Sequence, residues 1–292
     1  MEIFTLWLWP LLALVLLPGL FVYLGLHIVE RGVIFVDLAL AQIAALGIAV
    51  AILLGMDPGH ERLPYLVALL FTFLGAGIFA LTRFRQARVP QEAFIGIVYI
   101  VSAAATVLVL SRTASGDEEI KNLLVGNILL VTKPEVLWTF SLYVVLGAFH
   151  LAFRRRFLLI SFDPNGARAR GIRVRLWDFL FYVTFGFAVT SFVLIAGVYL
   201  VFSYLIVPAV CAALLAERIR HRLAIGWAIA LVAGLSGLLL SAEWTSMDLP
   251  TGPTIVCSFG LLLVLSGIAS WILRKGTQPG VPRTGDGARP GV

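Results

Sequence analysis

Charge is what this chain has least of. Only 13% of its 292 residues are Asp, Glu, Lys or Arg, and 60% are hydrophobic. A soluble globular domain carries about 25% charged and about 45–50% apolar residues. The balance excludes a sizeable water-exposed domain, because there is too little polar surface to cover one. Catalytic motifs are missing as well. The sequence has no GxSxG, no HExxH and no GxxxxGK[ST], so it offers no nucleophile elbow, no zinc-protease helix and no phosphate loop. Cysteine is limited to Cys211 and Cys257, both inside apolar runs, where buried structural thiols are expected rather than a disulfide. His27, His60, His150 and His221 form no metal-ligand pair at helical spacing. Each sits near the end of an apolar run and is expected at an interface.

Long apolar runs fill the remainder. A hydrocarbon core takes about 20 apolar residues per helix. Spans are predicted at roughly 5–26, 33–54, 64–82, 93–110, 136–153, 179–196, 198–216, 223–240 and 254–273. The expected fold is all-α: a polytopic transmembrane bundle of about nine spans over residues 1–274. A Gly-, Pro- and Arg-rich tail at 275–292 is expected to be disordered. The first run has no basic segment before it and reads as a retained helix rather than a cleaved signal. Of the 22 Lys and Arg residues, 18 fall on alternate loops and the tail; Arg62, Arg112, Lys121 and Lys133 fall on the other side. By the positive-inside rule the N-terminus lies outside and the C-terminus inside. The net charge of +6 therefore orients the chain and predicts no nucleic-acid partner.

Four stretches stand apart. Residues 179–216 run 38 residues without a charge, yet both flanking loops are Arg-rich, so the chain must cross out and return. Gly197 is the natural turn, and Pro208, lacking an N–H, is expected to kink or break the returning helix. The apolar piece Leu123–Val131 is too short to cross and is expected to be re-entrant or interfacial. In the inner loop, SFDPNGARARGI predicts a short helix with Asp163 as N-cap, Pro164 at its first position and Gly171 as its stop. With Arg168 and Arg170 it could lie on membrane lipid or dock a cytoplasmic partner; the residues alone favour neither. The second span places Asp37 and Gln42 among Ala and Gly, as an inner helix lining a path would. The bland alternative is that Asp37 pairs with a basic group, Arg31 being the one nearby in sequence.

Six stretches in order, RGVIFVDLALAQIAALG, QEAFIGIVYIVSAAATVLVLS, KNLLVGNILLV, SFDPNGARARGI, GVYLVFSYLIVPAVCAALLA and DLPTGPTIV, together resemble the permease subunits of metal-uptake ABC transporters for zinc, manganese or iron. They cover residues 31–256. The resemblance implies a homodimeric multi-pass pore in a bacterial or archaeal cell membrane. Two cytoplasmic ATPases would sit below it, and an extracytoplasmic binding protein would deliver a divalent metal as cargo. No permanently bound cofactor and no ATPase activity of its own are implied. It also implies that Asp163–Gly171 is the coupling helix and that Pro208 stands in the family's broken helix. The family's second span carries Asp and His four residues apart as metal ligands. Aligned on Gly47, those positions are Leu38 and Gln42, with Asp37 one residue early, so the cargo is left open. The competing expectation is a secondary transporter using Asp37 as a proton or cation site; a membrane enzyme is disfavoured for want of paired acids or clustered histidines.

Overall fold

A computed structural model describes residues 2–56, 62–81, 90–113, 115–126, 128–241 and 249–277. Among these residues every regular element is helical. The helices are α1 (Glu2–Arg31), α2 (Val36–Leu53), α3 (Arg62–Leu81), α4 (Gln91–Leu110), α5 (Gly116–Val125), α6 (Lys133–Ala152), α7 (Arg154–Phe162), α8 (Pro164–Ala169), α9 (Val174–Leu215), α10 (Ile219–Leu240) and α11 (Thr251–Thr277), with a 3₁₀ turn at Ile128–Leu130. Eight of them, α1–α4, α6 and α9–α11, are long and apolar enough to cross a membrane.

Burial sorts these eight helices into a centre and a rim. Helices α1, α2 and α9 are mostly buried, whereas α4, α6, α10 and α11 turn most of their length outward. Exposed Ile97, Val101, Leu108, Val145, Leu261 and Val264 mark that rim. Outward apolar residues in such a bundle face lipid, which solvates them as well as protein does. Small residues make the centre possible. A Cβ added at Gly47 would lie 2.7 Å from Cα of Ala68, and one at Gly75 would lie 2.5 Å from Cδ1 of Ile43. These glycines let α2 and α3 touch at backbone distance.

Helix α9 has 42 residues. Straight, it would run to about 63 Å, twice the roughly 30 Å hydrocarbon core. It is not straight. Gly197 has φ 75° and ψ 167°, outside helical geometry. The rings of Phe192 and Tyr204, twelve residues apart, lie with centroids 5.8 Å from each other, where a straight helix would separate their Cα atoms by about 18 Å. The chain doubles back at Gly197, which is the turn predicted. The break predicted at Pro208 is absent: Pro208 is buried within helix that continues unbroken from 198 to 215, and Gly197 is the one non-helical residue inside α9. Proline forfeits one backbone bond here, and Gly226 packs close against it: an added Cβ there would lie 3.2 Å from the Pro208 carbonyl oxygen.

Other boundaries shift. The inner loop contains α7, which was not predicted, and α9 starts at Val174 rather than 179. The tail expected from Lys275 has its first residues inside α11, and 278–292 lie outside the described residues. Cys211 is buried as expected, but Cys257 is exposed on the rim; both thiols are free.

Candidate functional site

The short helix α8 has the geometry its sequence predicts at both ends. The Asp163 carboxylate accepts the Gly166 N–H at 2.8 Å, satisfying one of the amides a helix start leaves open. Pro164 opens the helix. At the other end Gly171 takes φ 72°. Its N–H donates to the Arg168 carbonyl at 3.0 Å, while the Ile172 N–H donates to Ala167 at 3.1 Å. That pair of bonds is a Schellman stop, which needs a left-handed residue and so favours glycine. Arg168 and Arg170 are exposed, with Phe162 exposed beside them. The Arg168 guanidinium also donates to the Asn165 side chain at 3.0 Å. Helix α7 leads straight into α8, and Asp163 serves as the last cap of one and the first of the other. Phe157, Ile160 and Ser161 form its buried face, an i, i+3, i+4 spacing that follows the three arginines of RRRFLLISF.

Directly above α7 lies a buried polar cluster. Arg31, the last residue of α1, donates from Nη1 to Asp178 Oδ1 at 2.9 Å, with side chains 1% and 0% exposed. Its Nε–H donates to Ser161 Oγ at 2.9 Å, and its guanidinium lies 3.9 Å from the Phe181 ring centroid. His27 Nδ1 is 2.8 Å from the same Ser161 hydroxyl. His150 Nε2 is 2.9 Å from Thr184 Oγ1, and its ring stacks on Phe157 at 4.3 Å. Tyr23 lies edge-on to both His27 and His150. Thus His27 and His150, each 2% exposed, are buried core residues rather than interfacial ones. His221 is exposed, and His60 lies outside the described residues. Tyr23, His27 and Arg31 fall at i, i+4 and i+8, so one face of α1 carries the cluster. Among the described residues no group of three His, Cys, Asp or Glu is arranged to hold a metal ion.

Arg31 therefore pairs with Asp178, not with Asp37. Asp37 stands in the first turn of α2, 0% exposed, and its Oδ1 accepts the Leu38 N–H at 2.7 Å. A helix N-terminus favours an acid at that place. Its Oδ2 is buried without a hydrogen-bond partner. Glu92, which sequence reasoning passed over, stands in the first turn of α4, a helix packed against α2. One Glu92 oxygen accepts the Ile34 N–H at 2.5 Å, and the other is buried without a partner. Gln42 is buried further along α2, at 3% exposure. Both Asp37 and Gln42 lie inside the protomer's own packing rather than on a protomer surface.

At the opposite end of the bundle three glycines meet. Helix α5 ends at Gly126, φ 65°, where an added Cβ would lie 2.1 Å from the Ala196 carbonyl carbon. One at Gly197 would lie 2.5 Å from the Gly126 nitrogen, and one at Gly252 would lie 2.6 Å from the Val125 carbonyl oxygen. The connection that holds Leu123–Val131, expected to be re-entrant or interfacial, consists of helix α5 and a 3₁₀ turn, seated on the α9 turn and the start of α11.

These features define a multi-pass helical membrane protein with a short, capped, arginine-bearing helix between α7 and α9. The comparisons give the class a family. Residues 4–270 match the ABC 3 transport family, and the chain belongs to it. It is similar to the manganese transport system membrane protein MntC of Halalkalibacterium halodurans, 23% identical over 83% of this chain and 80% of that one. The chelated iron transport system membrane protein YfeD of Yersinia pestis is 29% identical over 64% of this chain and 62% of its own length. Among solved structures, PsaBC from Streptococcus pneumoniae in complex with Fab superposes with a TM-score of 0.75 at 22% identity, over 91% of this chain and 92% of the other. That likeness carries the fold.

Proposed function

We propose that this chain is the membrane permease subunit of an ATP-driven importer whose cargo is a divalent metal ion. The family match over residues 4–270 carries the reading, and the relatives' names, manganese and chelated iron transport systems, supply the cargo class. The chain would cross nine times, with α9 counted as two crossings around Gly197, its N-terminus outside and its arginine-rich end in the cytoplasm. Helix α8, capped by Asp163 and Pro164 and stopped at Gly171, would present Arg168, Arg170 and Phe162 to a cytoplasmic ATPase subunit. That ATPase supplies the phosphate loop missing here. Two copies of the chain would form the pore in the inner membrane of a bacterium, and an extracytoplasmic binding protein would deliver the ion.

Asp37 and Gln42 would mark the cytoplasmic half of the path on α2, joined by Glu92 on α4. Because they are closed off inside one protomer, α2 and α4 must separate for an ion to reach them. A neutral amide at 42 is a poorer ligand for zinc than imidazole and favours a harder ion such as manganese. The test is uptake by the reconstituted complex with manganese, iron and zinc offered separately, comparing the parent with Gln42→His. The expected result is ATP-dependent manganese or iron uptake by the parent and a gain of zinc uptake in the variant. Uptake that needs only an ion gradient, with no ATPase bound, would overturn the reading.

A further inference from the structure

Both flanks of α8 lead to the same guanidinium. Two residues before its cap, Ser161 accepts from Arg31 Nε; seven residues after its stop, Asp178 accepts from Arg31 Nη1. Neither contact is a surface accident, since the arginine and the aspartate are buried almost completely. A buried ion pair contributes less to stability than apolar packing of the same shape, and its best use is to impose one arrangement on the elements it joins. The elements joined here are α1, α7 and α9. Ser161 completes the set, because its hydroxyl can accept from Arg31, which only donates, and give its own proton to His27 Nδ1.

The other foot of α9 is tied to α1 one residue earlier. Arg222, at the start of α10, pairs with Glu30 and donates to the Ala216 carbonyl at the end of α9 at 2.8 Å. Glu30 and Arg31 therefore hold the two feet of the α9 hairpin, whose tip is the Gly197 turn lodged against Gly126. Ser161 and Asp178 thus tie the chain on both sides of α8 to the end of α1.

We propose that the Arg31–Asp178 pair with Ser161 is the positioning element that carries movement of the docking helix α8 into the α9 hairpin. This rests on the permease reading given above. Arg31, Asp178 and Ser161 touch neither nucleotide nor cargo; they set the registry between the docked helix and the rest of the bundle.

The experiment uses the full complex with ATPase and binding protein in proteoliposomes and manganese as probe, comparing the parent with Arg31→Met/Asp178→Leu, Ser161→Ala and Ser161→Thr. Four quantities are read: melting temperature, KM for ATP, ATPase stimulation by loaded binding protein, and manganese taken up per ATP. The double variant removes both charges of the pair together rather than stranding one against the other, and is expected to keep its melting temperature and its KM for ATP. Its uptake per ATP should fall about tenfold, within the range that mutations along a coupling network produce. Ser161→Ala should lower the same ratio by about threefold, and Ser161→Thr, which keeps the hydroxyl, should restore it. A folded double variant that transports as many ions per ATP as the parent overturns the proposal and leaves the permease reading intact. If the double variant does not fold, the serine pair decides: an unchanged ratio in Ser161→Ala, or no recovery in Ser161→Thr, overturns it. A parent chain that binds no ATPase removes both this proposal and the reading beneath it.

Discussion

Because Gly166 has no side chain, the Asp163 carboxylate can close on its amide at 2.8 Å. A Cβ there would sit 2.0 Å from the carboxylate. Cap and glycine are one device, and either partner can break it. Losing such a cap costs about 1 kcal/mol, which is a large share of what orders a six-residue helix. Asp163→Ala and Gly166→Ala should therefore give the same defect: faster hydrogen exchange across 164–170 and weaker ATPase retention on purification, by about fivefold, the equivalent of that free energy. Asp163→Asn keeps an acceptor and should behave like the parent. If Asp163→Asn fails as badly as Asp163→Ala, the carboxylate acts through its charge on a partner and not as a cap. Asp37 teaches the complementary point. Its place in the first turn of α2 accounts for one carboxylate oxygen; the second is buried without a hydrogen-bond partner, as is one oxygen of Glu92.

At the scale of elements, the α9 turn is the place where sequence and structure agree for a physical reason. Charge parity required two crossings in 179–216, and Gly197, the glycine at the middle of that stretch, takes φ 75° without the steric cost a side chain meets in the left-handed region. Gly197→Ala adds that cost, about 1–2 kcal/mol, to a clash with the Gly126 backbone. Gly126→Ala meets the same contact from α5. Each should lower the melting temperature of the detergent-purified protein by several degrees. Gly55→Ala, equally left-handed at φ 82° but with nothing within 4 Å, should lower it less. Equal losses at 55 and 197 would mean that the α5–α9 contact carries no weight. What was legible beforehand had local causes: apolar runs, caps, a turn glycine. What was not legible had distant ones. Arg31 finds Asp178 147 positions away, and His27 finds Ser161 134 positions away; no periodicity encodes which helix faces which. Pro208 is the converse case: a local signal for a kink or a break at which the backbone stays helical, Gly197 alone inside α9 departing from helical φ and ψ.

For the whole molecule, the decisive question is which side of the membrane each end of the bundle occupies. In the sequence 18 of the 22 cationic residues fall on alternate loops and the tail, so under the proposed topology the positive-inside rule would put α8 and the Arg218–Arg222 segment in the cytoplasm together. This agreement depends on α9 being two crossings. If its 42 residues crossed once, the segments on either side of it would face opposite compartments, and one Arg-rich segment would lie outside. Replacing Cys211 and Cys257 with alanine and adding single cysteines at three exposed sites, Ser115, Arg170 and Arg218, makes the choice measurable with a membrane-impermeant maleimide on intact cells. Ser115→Cys should label at once, whereas Arg170→Cys and Arg218→Cys should label only after the membrane is opened. Labelling of Arg218→Cys from outside would reduce α9 to one crossing. It would also separate the feet that Glu30 and Arg31 hold together, since residues on opposite faces of a bilayer about 30 Å thick cannot share one end of α1.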